Sequence, residues 1–238
     1  MTHTGVVLLG GLGMNARALH KVAAAIYPGL AVKFHVHTAN QLLNVRSHHK
    51  TNADAVARSI HSFPGGCALH MVSGSAFFAI PALASGEWGS NVKTVVLDSI
   101  PFARREAALM RTAGLPEILC KPMGAIASSV LNSEYFGATD AFTDRYFELL
   151  CDAKTYSSAS RVLVACSIED SITPISDARL FAEETKKKWS SAAAARPHVP
   201  HLSIYEGNGK HACLARDDID NFAPHIRSWL KSSPLELA

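Results

Sequence analysis

The sequence predicts an α/β fold with a mostly parallel, doubly wound sheet of about six strands. Two observations support this prediction: six apolar runs of strand length recur along the 238 residues, and helix-like segments alternate with them. Such alternation is typical of βαβ units, in which crossover helices cover a parallel sheet. Because 48% of the residues are hydrophobic, the chain can bury one sizeable core, and we expect a single domain over residues 1–238.

The predicted strands are short apolar runs, a pattern consistent with strands buried between helices. In chain order they are Val6–Leu9, Ala31–Val36, Cys67–Val72, Val92–Leu97, Val162–Cys166 and His201–Tyr205. Between and after them lie helical candidates at about residues 15–26, 52–62, 76–85, 176–189 and 217–230. The second helix has a start signal, Thr51-Asn52-Ala53-Asp54, in which side-chain oxygens can accept hydrogen bonds from the unpaired N–H groups of a first turn.

A long segment separates the strand that ends at Leu97 from the strand that begins at Val162. Structureless loops of such a length are uncommon inside a compact domain. We interpret residues 101–158 as a helical cap insertion over the carboxyl ends of the strands. Two ordinary packing helices are the alternative, because helical periodicity does not show where a segment docks.

The cysteines and the lengths of the apolar runs indicate where in the cell the protein is located. Five cysteines are scattered without metal-ligand spacing, and their odd number argues against a disulfide framework, so we expect a reducing, cytoplasmic location. No opening stretch has the order of a signal peptide, and no apolar run approaches the roughly 18–20 residues of a membrane span. The sequence therefore predicts a soluble protein without an integral membrane segment.

Charge is unevenly distributed along the chain. Residues 1–53 carry five basic side chains and no acidic one, a charge of +5, whereas the remainder carries −2. Such a bias can mark a surface for phosphates or acidic lipids, but spread basic residues more often form a solvated face. We expect no nucleic-acid partner.

A glycine-rich turn follows the first strand and has two interpretations. Gly11-x-Gly13-x-x-Ala16 matches the dinucleotide fingerprint, whose glycines let the backbone approach a pyrophosphate. That site also needs an acidic residue about 20 residues later, and this chain has none there, although Arg46 is available for an NADP-type site. The second interpretation is an oxyanion loop, in which the N–H of Gly11 or Leu12 faces the developing negative oxygen of an acyl-transfer intermediate.

The segment HMVSGSAFF, residues 70–78, places two serines where the third strand meets a helix. A serine nucleophile at such a turn usually has the pattern G-x-S-x-G, which neither serine has intact. The second residue after the nucleophile should be small; it is Ser75 if the nucleophile is Ser73, but the bulky Phe77 if the nucleophile is Ser75. We therefore predict Ser73 as the nucleophile and Gly74 as an oxyanion donor, with Ser75 as the alternative nucleophile.

A carboxylate and a histidine follow later strands in the chain order serine, acid, histidine that α/β-hydrolases use. Asp170 comes after the strand Val162–Cys166, and His211 lies in a glycine-rich loop after the last strand. A hydroxyl nucleophile needs a histidine to accept its proton and a carboxylate to orient that ring. We predict Asp170 and His211 in these roles, with Glu169 or Asp98 as alternative acids.

Other histidines form a weaker group. His35 and His37 would share one side of a strand and bind a metal together with His48 or His49. No nearby carboxylate or cysteine completes such a site, so no metal site is predicted.

With these segments placed, nearly the whole chain resembles the α/β-hydrolase-like family named for transmembrane protein 53, a eukaryotic family of poorly defined function. The similar segments are VVLLGGLGMNARALHKVA, LHMVSGSAFFAIPAL, VVLDSIPF, VLVACSIEDSITP and GKHACLARDDIDNFAPHIRSWL. Matching the second segment through its paired aromatics and its proline places the family serine on Ser73, and the resemblance places the acid on Asp170 and the histidine on His211. The sequence departs from the family at Ser75 and Ala76, where the family has two glycines.

The sequence thus predicts a serine hydrolase that cleaves an ester or thioester of a small or lipid-like molecule through an acyl-enzyme, without a metal or organic cofactor. The alternative is a catalytically silent protein of the same fold that binds a lipid or a partner protein. The altered turn favours the silent protein, whereas the order of serine, acid and histidine favours the enzyme.

Overall fold

The computed structural model describes residues 5–11, 14–37, 45–102, 142–193 and 199–231, of which 45–50, 142–145 and 192 are described by backbone alone. Six parallel strands form one sheet in the order β2-β1-β3-β4-β5-β6. The strands are β1 Gly5–Leu9, β2 Ala31–His35, β3 Cys67–Val72, β4 Val92–Asp98, β5 Arg161–Ser167 and β6 His201–Gly207. The predicted α/β fold with a mostly parallel, doubly wound sheet is confirmed.

Seven described α-helices connect and follow the strands. They are α1 Ala16–Ile26, α2 Val45–His61, α3 Ala76–Ala84, α4 Phe142–Cys151, α5 Ile175–Ala193, α6 Leu214–Asp217 and α7 Ile219–Lys231. Short 3₁₀ turns occupy Ser73–Ser75, Gly89–Asn91 and Ala153–Tyr156. No helix in these described segments combines the length and the apolar character that crossing a bilayer requires.

Helices cover both faces of the sheet, and this explains the apolar character of the strands. Val7 and Leu9 of β1 belong to a core shared with α2, α3, α4 and α5, whereas Val6 belongs to a second core shared with α1 and α7. Successive strand residues point to opposite faces. Because both faces are buried, the inner strands are mostly apolar on both sides, as in β1, where every residue is apolar and buried.

The predicted start of the second helix is wrong. Helix α2 begins at Val45, so the segment Thr51–Asp54 lies inside it. Thr51 and Asp54 face solvent, while Ala53 and Val56 are buried against the sheet. The polar residues therefore occupy the outer face of a continuing helix, where they need not cap a first turn.

The described end of the long insertion packs in the main core. Helix α4 contributes Tyr146, Phe147 and Leu150 to the same apolar cluster as α3 and α5. The indole N–H of Trp189 on α5 donates to the carbonyl of Cys151 at 3.0 Å, which ties the two helices together. Residues 142–156 are thus packing elements of the domain. Residues 103–141 lie outside the described segments, and a cap formed by them stays a prediction.

Four cysteines lie in the described segments, namely Cys67, Cys151, Cys166 and Cys213, and all four are free thiols. The fifth, Cys120, is outside the described residues. The reducing compartment that the sequence suggests stays a prediction.

Candidate active site

Three of the predicted site residues meet at the carboxyl edge of the sheet. Ser73 directly follows β3, Asp170 lies in the turn after β5, and His211 lies in the loop after β6. All strands in this sheet run in the same direction, so their carboxyl ends lie along one edge. In open α/β sheets this is the edge where ligands bind.

Ser73 lies at a sharp turn from β3 into α3, residues 72–76, which we call the elbow. Its φ angle is +51°, in the left-handed region that is costly for a residue with a side chain. Such strain is found where a functional group has to be presented in a particular direction. The elbow forms although Ser75 replaces the second glycine of the usual pattern, because Ser75 and the following Ala76 are small enough to be fully buried there.

The glycine-rich turn approaches the elbow closely. A Cβ atom added to Gly11 would lie 2.8 Å from Ser73 Cβ and 3.0 Å from the carbonyl oxygen of Val72, so a side chain at position 11 would collide with the elbow. The N–H of Gly11 donates to Met14 Sδ at 3.4 Å, a weak acceptor. Gly11 is thus adjacent to Ser73, while Leu12, the other predicted oxyanion residue of this loop, lies outside the described residues.

A chain of hydrogen bonds links the three side chains. Ser73 Oγ lies 2.7 Å from His211 Nε2, and His211 Nδ1 lies 2.8 Å from Asp170 Oδ2. An ionised carboxylate only accepts hydrogen bonds, so Nδ1 carries the proton and donates to Asp170. Nε2 is then unprotonated and accepts from the Ser73 hydroxyl, which is the arrangement that a general base requires.

The Asp170 carboxylate is fully buried and accepts four hydrogen bonds. Its Oδ1 accepts from the N–H groups of Ile172 and Thr173, each at 2.8 Å. Its Oδ2 accepts from His211 Nδ1 and from the Thr173 hydroxyl, the latter at 2.6 Å. Burial raises the pKa of Asp170, but the hydrogen bond and the attraction from His211, with the bonds from Thr173, lower that pKa below its ordinary value. The carboxylate is therefore held in its charged form.

The loop that carries His211 is anchored on both sides. The N–H of Asn208 donates to Asp218 and the N–H of Lys210 donates to Asp217, each at 3.3 Å. The hydroxyl of Ser167 at the end of β5 donates to the carbonyl of Gly209. These bonds fix the loop relative to β5 and to the junction of α6 and α7.

Ser75, the alternative nucleophile, has a different environment. Its side chain is fully buried, and its Oγ accepts from the N–H of Val72 at 3.1 Å. The same hydroxyl has two carbonyl acceptors in reach, Val72 at 2.9 Å and Leu9 at 3.3 Å. Ser75 thus ties the elbow to β1, and its hydrogen bonds within the described segments are to the backbone of Val72 and Leu9.

The two alternative acids also lie apart from His211. Glu169 is exposed in the turn beside Asp170. Asp98 Oδ2 lies 3.3 Å from His70 Nε2, and Asp98 Oδ1 accepts from the hydroxyl of Ser99 at 3.0 Å. Among these candidates, Asp170 is the carboxylate bonded to His211.

The predicted histidine group makes ordinary contacts. His35 Nε2 lies 3.0 Å from the Ser59 hydroxyl, and the ring of His37 packs against Phe78 with ring centroids 4.4 Å apart. The side chains of Arg46, His48 and His49 are outside the described residues. No cluster of three or more histidine, cysteine or acidic side chains suited to a metal ion occurs in the part of the chain that is described.

Sequence reasoning did not predict Thr173 or the pair His70–Asp98. A weak signal existed for Thr173, because a hydroxyl three residues after an acid in a turn often bonds back to it. No local sequence pattern indicates the contacts of His70, since they come from Tyr27 at the end of α1 and from Asp98 on the neighbouring strand β4.

The structure is similar to solved α/β-hydrolases over nearly its whole length. A monoacylglycerol lipase of Paleococcus ferrophilus is 16% identical, with 96% of each chain covered and a TM-score of 0.56. An esterase of Pyrococcus furiosus is 13% identical, with 95% of this chain and 80% of that chain covered and a TM-score of 0.57. A thioesterase domain from the curacin biosynthetic pathway is 14% identical, with 96% and 91% covered and a TM-score of 0.52.

The sequence alone matches no protein-family model and no curated protein. The resemblance to the family of transmembrane protein 53 therefore stays a prediction. At these low identities the structural likeness concerns the fold. The chain has the α/β-hydrolase fold.

Proposed function

We propose that this protein is a serine hydrolase that cleaves an ester or thioester of a small or lipid-like molecule through an acyl-enzyme. The observation that carries the proposal is the chain of short hydrogen bonds from Ser73 through His211 to the buried carboxylate of Asp170. The strained φ of Ser73 and the fold shared with a lipase, an esterase and a thioesterase support it.

In the acylation step, Ser73 Oγ attacks the carbonyl carbon of the substrate while its proton passes to His211 Nε2. The carbonyl π electrons move to the oxygen, and Asp170 stabilises the imidazolium that forms. The bond to the alkoxide or thiolate then breaks, this leaving group takes the proton from Nε2, and the acyl group stays on Ser73.

In the deacylation step, water attacks the acyl carbon and gives a proton to His211 Nε2. The bond to Ser73 Oγ breaks, the proton returns to that oxygen, and a carboxylic acid leaves. We assign the negative oxygen of both intermediates to the N–H of Gly74 and to an N–H of Gly11 or Leu12. Displacement of Met14 Sδ by this oxygen would free the N–H of Gly11, because a thioether is the weaker acceptor.

A fluorophosphonate probe tests the proposal directly, since it reacts covalently with an activated serine. The wild-type protein should be labelled, and it should release p-nitrophenol from p-nitrophenyl esters. Ser73→Ala should lose both activities, whereas the matched control Ser75→Ala should keep labelling. A folded wild-type protein that neither reacts with the probe nor hydrolyses esters or thioesters would contradict the proposal and support a catalytically silent α/β-hydrolase fold.

A further inference from the structure

We propose that Thr173 is a positioning residue that sets both the orientation and the proton arrangement of the His211–Asp170 pair; this inference rests on the proposed hydrolase function. Thr173 is 4% exposed and lies three residues after Asp170, in the turn between β5 and α5. Its hydroxyl reaches both partners: Asp170 Oδ2 at 2.6 Å and His211 Nδ1 at 3.4 Å. Both of these contacts are to the pair and neither is to Ser73, so Thr173 acts through the pair.

The first effect concerns the imidazole protons. The Thr173 hydroxyl proton is directed at Asp170 Oδ2, because this is the shorter contact and a carboxylate accepts strongly. The hydroxyl oxygen then has only lone pairs to present to His211 Nδ1, so a proton on Nδ1 is favoured and a lone pair there is disfavoured. Thr173 thereby supports the arrangement in which Nε2 is free to accept the proton of Ser73.

The second effect concerns the basicity of the carboxylate. Each hydrogen bond to Asp170 stabilises its charge and reduces its attraction for the imidazolium. Removing the hydroxyl should concentrate the charge on Asp170, strengthen its interaction with protonated His211, and delay the loss of that proton as the pH rises. The acid limb of the pH–rate profile should therefore move to higher pH.

Other titratable groups near His211 and Asp170 should not move the acid limb of the pH–rate profile. The nearby thiols are Cys166 at the end of β5 and Cys213 in the His211 loop. Burial raises the pKa of Cys166 to about 12 and raises the pKa of Cys213, so neither thiol ionises in the acidic range. Asp98 on β4 is bonded to His70 and Ser99, and Glu169 points to solvent. The substitution at position 173 alters none of these contacts.

Two variants separate the hydroxyl from the methyl group. Thr173→Val keeps the shape of the side chain and removes the hydroxyl, whereas Thr173→Ser keeps the hydroxyl and removes the methyl. With a p-nitrophenyl ester, Thr173→Val should lower kcat by about 5-fold with little change in KM, and its acid limb should rise by about 0.5 pH unit. Thr173→Ser should have the wild-type pH profile, even where the lost methyl lowers its Tm.

A second readout does not depend on turnover. The His211 Nδ1–H should give a downfield proton NMR resonance that His211→Ala removes. Thr173→Val should broaden or shift this resonance, and Thr173→Ser should retain it. A wild-type protein without hydrolysis or labelling would refute the proposed function, while the NMR comparison would still test the proton arrangement. Identical pH profiles and identical resonances in wild type and Thr173→Val, or a profile shifted equally by both variants, would overturn the role of Thr173.

Discussion

In the described segments, two chains of hydrogen bonds each run from a hydroxyl through an imidazole to a carboxylate, and the two chains have different surroundings. At the edge of the sheet, Ser73, His211 and Asp170 are linked at 2.7 and 2.8 Å. Inside the domain, the Tyr27 hydroxyl lies 2.7 Å from His70 Nδ1, and His70 Nε2 lies 3.3 Å from Asp98 Oδ2. The same types of group therefore occur in the same order in both places.

The two imidazoles carry their protons on opposite nitrogens. Burial, followed by the charge of Asp98, raises the pKa of Tyr27, so its hydroxyl keeps the proton and donates to His70 Nδ1. His70 then donates from Nε2 to Asp98, whereas His211 donates from Nδ1 to Asp170. In each case the nitrogen that faces the hydroxyl is the acceptor.

The exposure of the imidazole distinguishes the two hydrogen-bonded chains. The side chain of His211 is 16% exposed and lies in a loop, whereas that of His70 is fully buried in the middle of β3. The hydroxyl beside His70 belongs to Tyr27, which is buried in the second core. Solvent thus reaches the imidazole of the edge chain, whereas the inner chain satisfies buried polar groups.

The largest expected effect is the loss of activity on removing the edge imidazole. His211→Ala should lower kcat/KM for ester hydrolysis by a factor on the order of 10⁴, because Ser73 loses its general base. Its Tm should fall only modestly, because Asp170 keeps the hydrogen bonds from Ile172 and Thr173. The exposed His61 at the end of α2 supplies a matched control, and His61→Ala should keep full activity. Substantial turnover by His211→Ala would show that the edge chain, like the inner chain, is not needed for catalysis.

The inner imidazole should show the opposite behaviour. His70→Ala leaves the buried Asp98 carboxylate without its imidazole donor and should lower the free energy of unfolding by about 3 kcal/mol. The folded fraction should still react with a fluorophosphonate at Ser73. Tyr27→Phe keeps the imidazole and should cost only about 1 kcal/mol. Urea unfolding followed by circular dichroism measures both changes, and an unchanged stability of His70→Ala would show that the inner chain has no structural role.

The inner strands could be predicted closely because burial on both faces makes most of their residues apolar. Strand β3 has the predicted bounds, Cys67–Val72, and β2 ends one residue earlier than predicted, at His35. The start of α2 could not be predicted, since a polar segment on the outer face of a helix has the same composition as a cap. For residues 103–141 the cap prediction stays open.

The positions of the edge residues could also be predicted, because parallel strands bring their carboxyl ends together regardless of side-chain detail. The structure accordingly brings Ser73, His211 and Asp170 within hydrogen-bond distance. The inner chain depends on tertiary contacts that no local pattern contains. Tyr27 and His70 are 43 residues apart, and the pairing of Val72 with Asp98 across β3 and β4 decides what Asp98 can reach.

A smaller effect should appear in the dependence of stability on pH. The pKa of Asp170 is lower in the folded protein than its ordinary value, so the charged form stabilises the fold above the unfolded pKa. This contribution is lost as the pH falls through the folded pKa. The difference in unfolding free energy between wild type and Asp170→Asn should therefore shrink as the pH is lowered from 7 to 3. Glu169→Gln removes a charge from the same turn without removing these hydrogen bonds.

Urea unfolding at each pH gives this difference, and the Glu169→Gln curve corrects for the loss of one negative charge. A difference between wild type and Asp170→Asn that grows on acidification would contradict the sign of the shift. It would mean that the fold destabilises the charged carboxylate, as burial alone would do.

The smallest expected effect concerns Ser75, the serine that lies closest to Ser73 along the chain. Its hydroxyl is enclosed between the elbow and β1 and bonds only to backbone groups of Val72 and Leu9. Ser75→Ala leaves the N–H of Val72 without this acceptor and should lower the free energy of unfolding by about 1 kcal/mol. The elbow should keep its backbone path, because alanine is as small as the serine it replaces. Fluorophosphonate labelling of Ser73 should therefore continue at a rate within about 3-fold of wild type.

Mass spectrometry of the labelled peptide identifies the modified serine. Modification of Ser75 in the wild type, or complete loss of labelling in Ser75→Ala with a normal Tm, would mean that Ser75 is the reacting group.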